Sequence, residues 1–578
     1  MTLSQEMRVG LFQTMLGKDK LSMTSFAGRE GISELFEFRV QCVSETESPV
    51  QLGKLLGSEA HAQMSSNYEH VNRFFHGRVS EARVLGKDQE FVHYEFVLRP
   101  AFWFLSRNSN CRIFHDKRAD EIIKHVLEEH PFLKCETSSM GTDYPQLEYC
   151  VQYRESDFAF VSRLMEENGI YYYFEHAEDK HQMILAKGKA GLKDKQGGGE
   201  LHFLASEETV VGDGDTVNEW RPAQSFRTPK VSLADYDYKK AGNAMVVDRS
   251  ASTPYDSLGL EFYDYPGGFE DQGVGGDLAE NRLNSEMEAE MMVGARGDAV
   301  TCEPGKLVSL YGHDVGSYNK QYLVRRARHS YSANLYRSGQ GAGRRYSGSY
   351  EFQSDTEFHP PSVTRKPVIA GPQTAVVSDT SLDQSRIKVQ FFWDRDQSQS
   401  RWVRVSHPWA DDNWGDFRIP YIGQEVIVEF INGDPDYPLV TGAVYNGQKK
   451  APWDDYKISG TRTSLKNELY FDERTEGSQK FMVHASHDLE VKVDNDEKRD
   501  IDKNVTVTIG GDRKETINQS WTVEAMMQIE FKVGESKITM TPASIKIESP
   551  VIEIQATATL KAGASGPVIV QGTPIMLN

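Results

Sequence analysis

The chain has 578 residues, 38% hydrophobic and 26% charged, which is enough apolar material for three or four folded domains and excludes a disordered polypeptide. Its formal charge of −20 excludes a general nucleic-acid binder, whose affinity comes from Lys and Arg on phosphates, and disfavours adhesion to anionic lipid. Five cysteines without a Cys-x-x-Cys pair, and no run of about twenty apolar residues, argue for reduced core thiols and against a disulfide framework, a zinc cluster or a membrane helix.

The first residues, Met1 to Glu6, hold no apolar signal segment, so synthesis in the cytoplasm is expected, with export only by a dedicated machine. Residues 1–365 read as mixed β with a few helices. Strands are expected at 35–43, 91–99, 170–174 and 321–327. A helix over 119–129 carries Ile122, Ile123, Val126 and Leu127 on one face and stops before Pro131. A second, over 157–168, has Ser156 as its cap and Gly169 as its stop. A third is predicted over 277–293, with the glycines at 273–276 forming a turn before it. The glycine runs at 197–199 and 339–343 read as loops or linkers.

A compact unit follows Pro360-Pro361 and Gly371-Pro372. Strands are predicted at 386–391, 402–405, 425–430 and 439–445, with the turn Asn432-Gly433-Asp434-Pro435 between the last two. About five short strands in some eighty residues suit an OB-fold barrel. Many such barrels bind single strands through aromatics and a basic groove. Here eight Lys and Arg face eleven Asp and Glu over 379–450, so Trp393, Trp402, Trp409 and Trp414 are assigned to core and interface packing instead.

The last ninety residues repeat. Leu489, Val505 and Trp521 are sixteen apart, as are Val491, Val507 and Val523, and Val493, Ile509 and Ala525. Ile501, Ile517 and Val533 interleave halfway, giving an eight-residue beat. Apolar and polar residues alternate within units, as in Thr506-Val507-Thr508-Ile509, which is the period of a strand with one face buried. Asp494-Asn495-Asp496 and Gly510-Gly511-Asp512 supply turns. Further on, Ile538, Ile545 and Ile552 are spaced by seven, with Pro542 and Pro550 between them. A fixed short β period indicates a solenoid-like rod. Segments this short cannot offset an ordering cost of about 1–2 kcal/mol per residue, so neighbouring chains must staple them, with three as the natural closure. An antiparallel meander in an ordinary sandwich is the alternative.

The order of these parts, with specific segments, resembles the VgrG family of type VI secretion spikes, a fusion of phage-tail hub and spike. Gln152-Tyr153-Arg154-Glu155-Ser156-Asp157-Phe158 and Glu167-Asn168-Gly169-Ile170-Tyr171-Tyr172-Tyr173-Phe174 resemble its hub signature. Gly343-Arg344-Arg345-Tyr346, Phe352 and Phe358-His359-Pro360 resemble the end of the hub. Arg386 to Asp394, Trp402 to Val405, Gly423 to Val426 and Gly433 to Asp436 resemble its barrel, and Asn467 to Asp472 its neck. The resemblance implies a mainly β fold: hub-like β-barrels with a few helices over 1–365, an OB-fold barrel over 366–452, a neck over 453–480, and an intertwined trimeric β-helix, or β-prism, over 481–578. It implies a homotrimer seated by its hub on hexameric rings of the tube protein Hcp. A PAAR-repeat protein would cap the tip, with effector, adaptor and baseplate proteins as further partners. Sheath contraction would then carry the assembly out of the cell and pierce the target membrane mechanically. The roughly thirty residues from Ala451 to Lys480 leave no room for the lysozyme domain of the phage relative, and the chain stops at Asn578, so no fused toxin is expected.

No catalytic, metal or cofactor pattern stands out, and a non-enzymatic role is expected. His484 and His487 fall on opposite faces of a strand, the Gly273 run and Gly305-Lys306 lack a phosphate-loop pattern, and Asp411-Asp412 and Glu128-Glu129 read as ordinary surface neighbours. His115 and His125, on or beside the first helix, have no cysteines nearby in sequence to complete a metal set. Pro574, Ile575, Met576, Leu577 and Asn578 are the candidate docking residues for the cap, because a blunt prism end exposes strand edges and apolar tips. The alternatives are a tail spike or baseplate hub of a contractile prophage, and an envelope-degrading enzyme with a hidden hydrolase site.

Overall fold

The computed structural model describes all residues except 1–4, 6–9, 47–48, 66–71, 195–198, 205–214, 334–344, 355–356 and 577–578. It divides into two compact units, 1–454 and 455–578. The glycine runs at 197–198 and 339–343 lie outside the described residues.

Period-2 patterning builds the first unit. In the strand Glu34–Glu45, Phe36, Phe38, Val40 and Cys42 are buried while Leu35, Glu37, Arg39 and Gln41 between them are not. That strand belongs to a sheet running Gly10–Thr14, Glu59–Ser65, Asn72–Lys87, Phe91–Arg99, Glu34–Glu45 and Ser22–Gly31, then on to Gln321–Ser332. Its core is aromatic: Phe36 stacks on Phe38 at 4.5 Å, and Phe75 meets Phe38 edge-on at 5.2 Å.

Gln321–Ser332 also opens a ring. It pairs with Arg345–Gln353, which pairs with Met291–Gly297, then Asp215–Gln224, Glu200–Phe203, Lys306–Tyr311 and back to Gln321–Ser332. Trp220, Tyr322, Tyr350 and Phe352 fill this six-stranded barrel. Closure leaves no free lateral edge.

Helices α1 (Ala119–Glu128) and α2 (Asp157–Glu167) pack beside the first sheet through Ile122, Ile123, Val126, Phe160, Val161 and Leu164. Ser156 caps α2 as expected: its Oγ accepts from the Ala159 amide at 3.1 Å. Gly169, at φ +69°, ends the turn, and a Cβ there would sit 2.9 Å from Asn281 Oδ1. The third expected helix shifts towards the N-terminus. Helix α3 is Gln272–Met287, capped by Asp271, whose carboxylate accepts from the amides of Gly273 and Val274. The glycines are thus part of the helix. A Cβ at Gly275 would meet the Phe269 ring at 2.6 Å, so small residues let α3 close on its neighbour. The end of the predicted helix is instead the barrel strand Met291–Gly297.

The strands Gln373–Ser381, Arg386–Phe391, Val403–Val405, Pro438–Ala443 and Glu425–Phe430 close a second barrel. Four of them coincide with or overlap expected strands, and Gln373–Ser381 is the fifth, outside the expected set. Ala375, Val377, Ile387, Val389, Val426, Val428 and Val440 form its core, joined by Tyr149, Val151 and Tyr153 from the hub strand Gln146–Ser156. The turn after Glu425–Phe430 supplies polar glue: Asp436 accepts from the Val151 amide at 2.7 Å, and the Lys366 ammonium bridges Asp434 and Asp436. The tryptophans divide. Trp393 packs on Phe391 and Tyr153, but Trp409 and Trp414 lie exposed on a small hairpin, so they are not core residues of the single chain.

The hub signature has a physical job. Tyr171, Tyr172, Tyr173 and Phe174 are all buried. Gln152, Glu155 and Asp157 anchor arginines: Arg112 Nε donates to Gln152 at 2.8 Å, and the buried Arg163 donates to Glu155 at 2.9 Å and to the Val151 carbonyl at 2.8 Å. Burial pushes the Glu155 carboxyl above its usual range despite the opposing pull of Arg163. Removing the guanidinium therefore strands a buried carboxylate. Arg163→Ala is expected to cost about 3–5 kcal/mol of hub stability, measurable by chemical denaturation.

Candidate assembly surface

Residues 455–576 contain no buried side chain among those described. They open with a three-stranded meander, Ile458–Arg462, Glu468–Asp472 and Lys480–His484, in which Phe471 stacks on Phe481 at 5.1 Å while both stay exposed. A second meander spans Ile529–Val533, Ser536–Met540 and Ile545–Glu548. Between them, 485–528 forms no strand ladder within the chain. This departs from the expected strands of 481–578, and the reason is that a strand assignment needs a partner, which this stretch does not find in its own chain.

The repeat is nevertheless written into the backbone. Bends fall at 486–487, 494–495, 502–503, 510–511, 518–519 and 526–527, and turns or bends follow at 534–535, 542–543 and 550. The step is eight from 486 to 550. One step of seven follows, beside the isoleucines spaced by seven, and bends at 557–558, 565–566 and 573–574 then resume the step of eight. Between bends the apolar residues alternate with polar ones, the pattern of one apolar side, and they stand in the open. Leu489 is 68% exposed, Val505 64% and Trp521 65%. A single copy leaves an apolar stripe and backbone groups without a strand partner along 485–528, which is an assembly surface.

Of the candidate tip residues, Pro574 lies at the last bend, and Ile575 and Met576 are exposed. Leu577 and Asn578 lie outside the described residues. His484 and His487 are both exposed, and His487 pairs with Asp488 at 2.7 Å.

The hub holds polar clusters, some of them buried. Glu129, His130 and Asp157 bring their ligand atoms together in the manner of a metal set. Arg112 already supplies the cation, donating to Glu129 at 2.6 Å, while His130 Nε2 lies 3.0 Å from Asp157. Glu129 is therefore more than a surface neighbour of Glu128. Sequence spacing gave no sign of this, because the three residues come from two helix ends. Nor did it reveal the histidines. Ala101 donates its amide to His181 Nε2 at 2.8 Å, which leaves His181 Nδ1 to donate to His76 Nδ1 at 2.9 Å. His176 and His329 flank Glu30, which accepts from Arg73 at 2.9 Å.

Three family models match the chain: phage tail baseplate hub (GPD) at residues 29–335, type VI secretion system/phage-baseplate injector OB domain at 373–445, and bacteriophage T4 gp5 C-terminal trimerisation domain at 459–565. Hub, injector barrel and trimerisation tail together define a puncturing device of the contractile-tail kind. Among curated relatives, the Pseudomonas aeruginosa type VI secretion system spike proteins VgrG1a and VgrG1b are each 32% identical to it. Either alignment covers 90% of this chain, with 88% of VgrG1a and 71% of VgrG1b covered. VgrG1c of the same organism is 33% identical over 90% of this chain and 73% of its own length. The chain belongs to the VgrG family of type VI secretion system spike proteins. Solved structures show the same fold. The E. coli c3393 protein, a type VI component with structural similarity to T4 gp27 and gp5, aligns at TM-score 0.53 and 18% identity over 75% of this chain and 99% of its own. A chain of the half-lidded Francisella PdpA-VgrG complex aligns at TM-score 0.55 and 8% identity over 93% of this chain and 87% of its own. The trimerisation model implies a homotrimer, and no helix among the described residues is long and apolar enough to cross a membrane.

The histidine network makes the hub acid-sensitive. Burial depresses His76 to about 4 and His176 to about 3 from an ordinary 6.5, and holds His181 well below it. The unfolded chain takes up these protons first, so stability is full above pH 6.5 and falls as pH drops towards 4. Glu30 adds to the loss at lower pH: burial raises its pKa, but Arg73 and His329 outweigh that and hold it at about 2. The hub's melting temperature is expected to fall between pH 6.5 and 4, less steeply in His76→Asn. A flat profile in the parent would contradict the assignment.

Proposed function

We propose that three copies form the tip of the type VI machine, with three hubs seated on the ring-shaped tube protein Hcp and three tails wound into the spike. A PAAR-repeat protein closes the tip at Pro574, Ile575, Met576, Leu577 and Asn578. Effectors ride as separate polypeptides held by adaptors, and baseplate proteins grip the hub before firing. The chain is made in the cytoplasm, leaves through the machine, and acts mechanically without catalysis. The parts are a hub over 1–365, an OB barrel over 366–452, a neck over 453–480 and a spike over 481–578.

The observation that carries this reading is the tail that buries nothing of its own while bending every eight residues. Such a chain is stable only when identical neighbours cover its apolar side and pair its edges.

Sedimentation of the full chain should give three times 65.3 kDa, and removal of 481–578 should release monomers or weak oligomers. A full-length monomer at micromolar concentration would sink the reading. Deleting Pro574–Asn578 should abolish co-purification with a PAAR-repeat protein while leaving the trimer intact; retained binding would place the cap elsewhere.

A further inference from the structure

The octads of the tail are of two chemical kinds. One kind is apolar on a single side: Leu489, Val491 and Val493, then Val505, Val507 and Ile509, then Trp521, Val523 and Ala525. The residues between them, such as Glu490, Lys492, Thr506 and Thr508, are polar. The kind in between reads Asp496 to Ile501 and Asp512 to Ile517, with one isoleucine each. The constant eight-residue bend fixes which positions are equivalent. Position 489 corresponds to 497 and 513, 491 to 499 and 515, and 493 to 501 and 517. The side that carries the apolar stripe therefore carries Glu497, Arg499 and Ile501 in one charged octad and Arg513, Glu515 and Ile517 in the other.

On that side the charges are already matched. Arg499 is paired with Glu497, and Arg513 with Glu515, in each case two residues along the same face. On the opposite side of the first charged octad Lys498 pairs with Asp500 at 2.9 Å. The first charged octad thus has two separate ion pairs, one per face, and the second has the Arg513–Glu515 pair; in each octad one pair shares a face with the stripe.

From this, and resting on the homotrimer reading, we infer that the shared axis of the tail alternates apolar layers with layers in which the Glu497–Arg499 and Arg513–Glu515 pairs turn inward and set the register of the three chains. Each charged layer is neutral, and every inward charge has a partner, which is the condition for burying charge at all. A slip of one octad would set a charged pair of one chain level with apolar residues of the others. The two charged octads also carry their signs in opposite order, so a slip of sixteen residues changes which charges meet between chains. An apolar stripe alone would hold the chains together at any octad step. The charged layers make one alignment preferable, the role best attested for buried polar groups in multi-chain rods.

The test uses the full chain. Sedimentation of the parent establishes the trimer independently. Thermal melting of the trimer then compares Arg499→Leu with Lys498→Leu, adjacent residues on opposite faces. Arg499→Leu should lower the melting temperature by more than about 10 °C, and Lys498→Leu by less than about 2 °C. Equal effects would overturn the inward placement. The exchange E497R/R499E should restore stability; a loss as large as that of Arg499→Leu would overturn the pairing. For register, differently tagged chains carrying Ile517→Cys and Ala525→Cys are co-expressed and oxidised. Cross-links between the two sites should be absent in the parent background. They should appear when the pairs are made apolar in E497V/R499V/R513V/E515V, and their absence there would overturn the register role.

Discussion

From 485 to 528 the backbone finds no strand partner in its own chain, and its apolar side chains stand in solvent. Two costs follow at once. The peptide groups of extended segments are left to water, and an apolar stripe is left uncovered. Neither is relieved by folding back, because 485–528 bends every eight residues without pairing with any strand of its own chain. Identical neighbours relieve both together. Three chains that share an axis pair one another's edges and face one another's stripes, and no chain can leave without breaking the contacts of all its layers.

The same problem is solved differently in the first unit. There the edges are dealt with by closure. Six strands from Gln321–Ser332 round to Lys306–Tyr311 return on themselves, and five strands of the OB barrel do likewise. Both barrels are filled by aliphatic side chains with a few aromatics, among them Trp220, Tyr322, Tyr350 and Phe352 in the first and Phe391 and Phe430 in the second. The barrel and the hub are held by a shared core, with Tyr149, Val151 and Tyr153 on one side and Ile387, Val389 and Phe391 on the other. Asp436 and Lys366 tie the seam with charge-assisted hydrogen bonds.

Legibility follows the range of the interaction. The strand Phe91–Arg99, the helices α1 and α2 and the strands Arg386–Phe391 and Glu425–Phe430 could be read almost to the residue, since each is set by local alternation, a cap or a stop. Helix α3 was misplaced because Gly273, Gly275 and Gly276 read as a turn, whereas Phe269 and Arg249 need their missing side chains. Trp409 and Trp414 could not be sorted from Trp393 by type alone. The networks around Glu30 and Asp157 were invisible, because their members are scattered from Glu30 to His329 and meet only when the sheet is assembled.

What the amino-acid order determined by itself was periodicity: which segments alternate by two, which by three or four, and where the octads of the tail begin and end. These depend on neighbours a few residues away, and backbone geometry turns them into strands, helices and bends without outside help. What only the tertiary structure decided was which edges close and which stay open. Barrel closure, the buried Arg163–Glu155 and Glu30–Arg73 pairs and the bare tail all depend on contacts between residues far apart in the chain, or not available within it, and short-range pattern carries no information about those.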